Sequence, residues 1–206
     1  MEISKAKRQQ IERRNLVSSV FVTMLIGLAY REMIVPVRDS VRTYGITPAA
    51  VILFSMFFLT SMRFFIGNQL HLISKTLASM SGKVWFYDLM VIILQTVALI
   101  FLGGVSSVEA SRTARIDFVE ILIALYAIDV LWITSQWALG KIFPSWRREF
   151  IPWAWGILNT VLIVCMTLLW LIVDDLYSST GLIWLGILNG VAFVVDVILV
   201  DYYDIL

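Results

Sequence analysis

Six times along this chain, some twenty consecutive residues are almost all apolar, and the polar stretches between them are too short to fold alone. A helix needs ~20 largely apolar residues to cross the ~30 Å hydrocarbon core of a bilayer. The runs cover about 16–37, 49–72, 84–105, 116–139, 152–173 and 181–201. The chain is 60% hydrophobic and 15% charged, against about 45–50% apolar and about 25% charged in soluble domains. The expected fold is therefore all-α, a polytopic integral membrane protein with six transmembrane helices. Residues 1–15 read as a basic cytoplasmic tail, and 16–206 as a single transmembrane domain.

The first run is too long for the apolar core of a signal peptide and lacks a small-residue cleavage site, so it reads as a retained anchor. Pro36 is expected to close it, and the following VRDSVRTYGITP to form an ordinary loop. Turn formers punctuate the rest: Gly45 and Pro48, Ser79 to Gly82, Gly103 to Ser111, Gly140 to Pro144, and Ser178 to Gly181. Basic residues set orientation. With the N-terminus inside, the inner segments hold Lys5, Lys7, Arg8, Arg13, Arg14, Lys75, Lys83, Lys141, Arg147 and Arg148. The outer ones hold Arg31, Arg38, Arg42, Arg112 and Arg115. Ten against five predicts both termini in the cytoplasm, and the expected location is the inner, cytoplasmic membrane of a bacterium. Trp85, Trp137, Trp146, Trp153 and Trp155 fall at the ends of runs, where aromatic side chains meet the interface.

Arg63 is the one basic residue in the middle of an apolar run. Burying arginine at the centre of a membrane helix costs ~2.5–3.5 kcal/mol on insertion scales, so it calls for a partner, water or a function. Three runs carry a carboxylate and an amide seven residues apart: Asp88 and Gln95, Asp129 and Gln136, Asn189 and Asp196. Seven residues is nearly two turns, which stacks each pair on one helix face about 10.5 Å apart. Asn68 and His71 follow Arg63 along its own run, and Asn159 lies in the fifth. Counted by depth, these residues form a polar seam from mid-membrane to the cytoplasmic side, under a drier outer half. Asp129 is the expected first partner of Arg63, then Asp196 or Asp88. One arginine cannot neutralise three carboxylates. Either an acid is held protonated, or water and cations reach it, or Asp88 and Asp196 are solvated at the inner interface. The same side chains would serve equally as hydrogen-bonding glue between helices.

A short echo, GILNTV at Gly156–Val161 and GILNGV at Gly186–Val191, suggests Gly and Asn at helix contacts. One histidine and one cysteine in different runs offer no metal site, and paired-histidine haem ligation is excluded. Phosphate-cradling glycine loops, zinc-protease helices and serine elbows are missing from the sequence, so no cofactor is expected and no enzyme, save a third reading as an intramembrane hydrolase built on a pair of aspartates such as Asp88, for which a glycine-rich partner motif is missing. No basic face is available for nucleic acid.

Two functions fit what remains. The first is a channel or transporter-type subunit whose seam carries ions or protons, closed outside by an apolar constriction. The second is a membrane-embedded sensor or anchoring subunit. It would recruit a soluble cytoplasmic effector through Lys141, Arg147 and Arg148 in the loop KIFPSWRREF. Either is expected to work as a homo-oligomer in the lipid bilayer.

Overall fold

The computed structural model describes residues 5–73, 82–106, 112–147, 153–173, 175 and 178–203. All of the regular structure among them is helical: α1 (Lys5–Tyr44), α2 (Pro48–Ile73), α3 (Gly82–Val105), α4 (Arg112–Ile142), a 3₁₀ turn (Pro144–Trp146), α5 (Trp153–Ile172) and α6 (Ser179–Tyr203). Hydrocarbon offers backbone groups no partners, so helices that satisfy their own N–H and C=O groups are the natural elements for such apolar sequence. Five of them are long and apolar enough to cross a membrane: α1, α2, α3, α5 and α6. Their outward faces carry large exposed apolar side chains, among them Met24, Phe86, Phe101, Ile157 and Val194.

The ends have local causes. Thr47 caps α2, its Oγ1 accepting the Ala50 N–H at 3.3 Å, and Pro48 follows at the first helical position. Ser178 does the same for α6 through the Gly181 N–H at 3.2 Å. Gly45, at φ +77, ends α1 in the left-handed region while its N–H reaches Val41 O at 3.0 Å.

α1 corrects the sequence reading at both ends. Helix begins at Lys5, inside the expected tail, and passes through Pro36 to Tyr44, taking up most of the expected loop. A proline removes one hydrogen bond and crowds the preceding turn, which neighbouring helices can offset in a membrane bundle. Lys75, Ser79 to Ser81, Ser107 to Ser111 and Arg148 lie outside the described residues.

The helices pack as a closed ring in the order α1, α3, α4, α5, α6, α2, with α2 also reaching across to α3. Contacts set the directions. Ser61 and Gln69 of α2 bond Tyr30 and Ser19 of α1 respectively, so those two run antiparallel. Thr60 and Arg63 of α2 bond Asn189 and Asp196 of α6 in the same order, so α2 and α6 run parallel.

Candidate functional site

The ring closes on a hydrogen-bonded cluster to which five helices contribute. Arg63 on α2 is 3% exposed. Its Nε donates to Asp196 Oδ2 on α6 in a buried ion pair, and its Nη2 donates to Asn159 Oδ1 on α5 at 3.0 Å. Asn159 Nδ2 donates onward to Asp129 Oδ2 on α4. The other oxygen, Asp129 Oδ1, accepts Gln95 Nε2 from α3 at 2.9 Å, and Gln95 Oε1 accepts Asn68 Nδ2 from α2 at 3.1 Å. The guanidinium also lies 5.4 Å from the ring centre of Tyr126, within cation–π range.

Charge orients the amides. Turning Asn159 over would aim its NH₂ at the guanidinium and its oxygen at the carboxylate, so the observed orientation is the one that satisfies both ends. The same holds for Gln95 against Asp129. Hydrogen bonds with one charged member are about twice as strong as neutral ones, which favours a connected cluster over scattered polar groups.

One or two turns along the same helices lies a second cluster. Asp88 on α3 is fully buried. Its Oδ1 accepts Trp132 Nε1 at 3.0 Å and Gln136 Nε2 at 3.4 Å, both from α4, and its Oδ2 faces His71 Nε2 at 3.1 Å. The His71 ring meets Trp132 edge-on at 4.9 Å.

The seven-residue spacing has a direct consequence here. α3 and α4 are antiparallel and each reads Asp then Gln in chain order. The aspartate of either helix therefore meets the glutamine of the other. Asp88 takes Gln136 at one end and Asp129 takes Gln95 at the other, two rungs of one ladder. α6 differs: Asn189 Nδ2 donates to Thr60 Oγ1 on α2 at 2.7 Å, while Asp196 goes to Arg63.

All ten residues of the expected seam thus face the interior of the ring, nine of them in the two clusters and Asn189 in a separate pair with Thr60. Asp129, expected as the first partner of Arg63, is reached through Asn159, and Asp196 holds the direct contact. Asp196 and Asp88 are buried rather than solvated. Depth along each helix could rank Asp129 first, but azimuth around the ring decides contact, and α6 is the direct neighbour of α2. Trp132 and Tyr126 join the clusters, and Thr60 the pair with Asn189, without having stood out in the sequence. Trp132 and Tyr126 stand three residues either side of Asp129, and Thr60 three before Arg63, so helical spacing from the charged residue was the available signal.

The two echoed segments play matching parts. Asn159 and Asn189 are both buried, and the glycine three residues before each lies under a neighbour: Gly156 under Ile133, Gly186 under Ile52. Missing Cβ atoms let the helices approach closely enough for the asparagines to bond across.

The other half of the interior is mainly apolar, and its buried hydroxyls, Thr96 and Ser106, bond back to the carbonyls of Ile92 and Leu102 in their own helix. Leu53, Met56 and Phe57 of α2, Leu99 and Leu102 of α3, Phe118, Leu122 and Leu125 of α4, Leu162 and Met166 of α5, and Leu182 and Leu185 of α6 are essentially fully buried. Every one lies on the far side of the Arg63 cluster from His71 and Asp88. The end of the ring nearest the start of α1 is thus polar inside, and the other end is plugged.

Beside His71 and Asp88, at that same end, the turn after α4 is exposed. Lys141 Nζ lies 4.0 Å from the ring centre of Trp137, and Ile142, Phe143 and Arg147 are open to the surroundings. Among the described residues no group of three His, Cys, Asp or Glu side chains could hold a metal ion. No family model, curated protein or solved structure matches this chain.

Proposed function

We propose that the chain is a channel or transporter-type subunit of a cytoplasmic membrane, seen with its path closed. In this reading all six long helices span the bilayer, α4 included, with both termini in the cytoplasm. The ten-to-five excess of basic residues supports that orientation. The alternating directions of consecutive helices agree with it.

The observation that carries the reading is the division of the ring's interior. Ionisable and amide side chains run from its middle to the cytoplasmic end, and close-packed leucine, methionine and phenylalanine fill the rest. Buried charge at such depth is costly and marks ion or proton pathways in membrane proteins. An apolar constriction in series is a known way of holding such a path shut. Arg63 would set the charge of the path, and Asp129, Asp88 and Asp196 would attract cations or hand on protons. Copies of the chain would associate through their apolar faces.

The test is flux from proteoliposomes under an imposed pH gradient and membrane potential. Wild-type protein should pass protons or monovalent cations, and Arg63→Ala, checked as a monodisperse species, should change the rate. Wild type that passes neither would sink the transport reading.

The exposed turn around Lys141–Arg147 favours a second reading, in which the bundle anchors or senses for a soluble cytoplasmic partner. Basic and aromatic side chains at the polar end suit such a contact. Silent liposomes, together with a soluble protein retained by wild type and lost in Lys141→Glu/Arg147→Glu, would support it.

A further inference from the structure

Two oppositely charged side chains face out of the ring into its apolar surface. Arg31 on α1 and Glu120 on α4 are exposed, and among the described residues neither forms a hydrogen bond or ion pair within the chain. Arg31 continues an exposed stripe of Val20, Met24 and Gly27, with steps of four and three residues that keep one helix face toward one neighbour. Glu120 opens a stripe of the same spacing on α4, followed by Ala124, Ala127 and Leu131. We propose that these two faces bind each other between copies of the chain, Arg31 of one copy pairing with Glu120 of the next. The contact deepens the association of copies proposed above and rests on α4 spanning the bilayer.

Depth matches the two charges. A Cβ on Gly103 would lie 2.6 Å from Ala29 O and 3.3 Å from Met33 N, which sets Arg31, midway between them, level with Gly103. Gly103 stands eight residues beyond Gln95, Glu120 stands nine before Asp129, and Gln95 bonds Asp129 between antiparallel helices. At ~1.5 Å per residue, both charges lie about 12–14 Å from the Gln95–Asp129 level, on the same side. Exposed apolar side chains continue past them. Leu171 and Ile172 follow Asn159, the partner of Asp129, by twelve and thirteen residues, or about 18–20 Å. Both charges therefore sit inside the apolar belt, where a lone charge is costly.

The rest of the two stripes agrees. Copies in one membrane share one orientation, so α1 of one copy and α4 of the next run antiparallel. With Arg31 opposite Glu120, Gly27 falls opposite Ala124, Met24 opposite Ala127 and Val20 opposite Leu131. Gly27 has open space where a Cβ would stand, so the backbones can approach most closely where both side chains are smallest. α1 and α4 flank α3 on opposite sides, so each copy offers both halves of the contact. A head-to-tail contact of this kind repeats from copy to copy and closes into a ring where the rotation allows.

Disulfide trapping between full-length chains in membranes tests it. Cys165→Ser removes the one native cysteine from both chains. One chain then carries Gly27→Cys, and a differently tagged one carries Ala124→Cys. Oxidation should give the mixed product, and should give little when Val164→Cys, exposed on α5 at a similar depth, replaces Ala124→Cys. Charge separates this pairing from apolar contact alone. Glu120→Arg on the Ala124→Cys chain sets like charges together and should cut the mixed product at least about tenfold. Adding Arg31→Glu to the Gly27→Cys chain should bring it back. Absence of the mixed product, equal trapping at Val164→Cys, or indifference to Glu120→Arg overturns the proposal. Indifference is also the result expected if Arg31 pairs with a lipid phosphate. Counting subunits in single bilayer spots tells the failures apart: chains that still associate do so through other faces, and chains that stay single overturn the association of copies as well.

Discussion

At the scale of single residues, Asp129 is held from both sides, each of its oxygens accepting an amide N–H group. Asp129→Asn is nearly isosteric, yet it points one NH₂ at another whichever way it turns. We expect a loss of about 1–3 kcal/mol, the cost of leaving a buried polar group unsatisfied, read as a lower melting midpoint in detergent. Moving the charge one position along the cluster should restore it. In Asp129→Asn/Asn159→Asp, the new amide on α4 accepts from Gln95 and donates to the new carboxylate on α5. That carboxylate still accepts from Arg63, so every bond keeps a donor and an acceptor. A double variant no more stable than Asp129→Asn would refute this wiring. Arg63 carries the larger single cost. Arg63→Leu strands the Asp196 carboxylate, and breaking a buried pair costs about 3–5 kcal/mol. Arg63→Leu/Asp196→Leu removes both charges and should regain much of that loss, which a thermal-unfolding double-mutant cycle would measure.

At the scale of elements, the close approaches of helices are set by what glycine lacks. A Cβ at Gly103 would lie 2.6 Å from Ala29 O, so Gly103→Ala must push α1 away from α3. Overpacking of this kind typically costs about 1–3 kcal/mol. Gly104 has open space at the same point, so Gly104→Ala should be tolerated, and the two melting curves compared side by side check the assignment. This contrast was out of reach of the sequence, where Gly103 and Gly104 look alike at the end of a run. Helix extents were much more legible. The expected second, third, fifth and sixth runs match the extents of α2, α3, α5 and α6 to within about two residues, because apolar length and capping residues are local properties. α1 departs because Pro36 reads as a breaker in sequence, although tertiary packing can carry a helix through proline. Contacts across the seam were legible in membership but not in pairing. The spacing of Asp and Gln put them on one face, while the Asp-to-Gln crossing between α3 and α4 follows from an antiparallel pairing that spacing alone does not specify.

At the scale of the whole molecule, the question is whether the apolar half of the interior acts as a gate or only as a core. Leu99 on α3 and Leu122 on α4 are buried there on neighbouring helices. Replacing both with serine shortens the side chains and lets water approach. Each hydroxyl can bond back to the carbonyl four residues earlier in its own helix, so the variant avoids a stranded donor. Large-to-small changes in a core cost about 2–5 kcal/mol each, so flux should be read at low temperature, on protein that remains monodisperse. If the apolar half holds the path shut by excluding water, Leu99→Ser/Leu122→Ser should leak protons or monovalent cations at least about ten times faster than wild type. Removing the charge at Arg63 in that background should then change which ion passes, because charge on the path selects among ions. A Leu99→Ser/Leu122→Ser variant that is less stable but no leakier would mean that those leucines only pack. The polar clusters would then hold helices together rather than conduct.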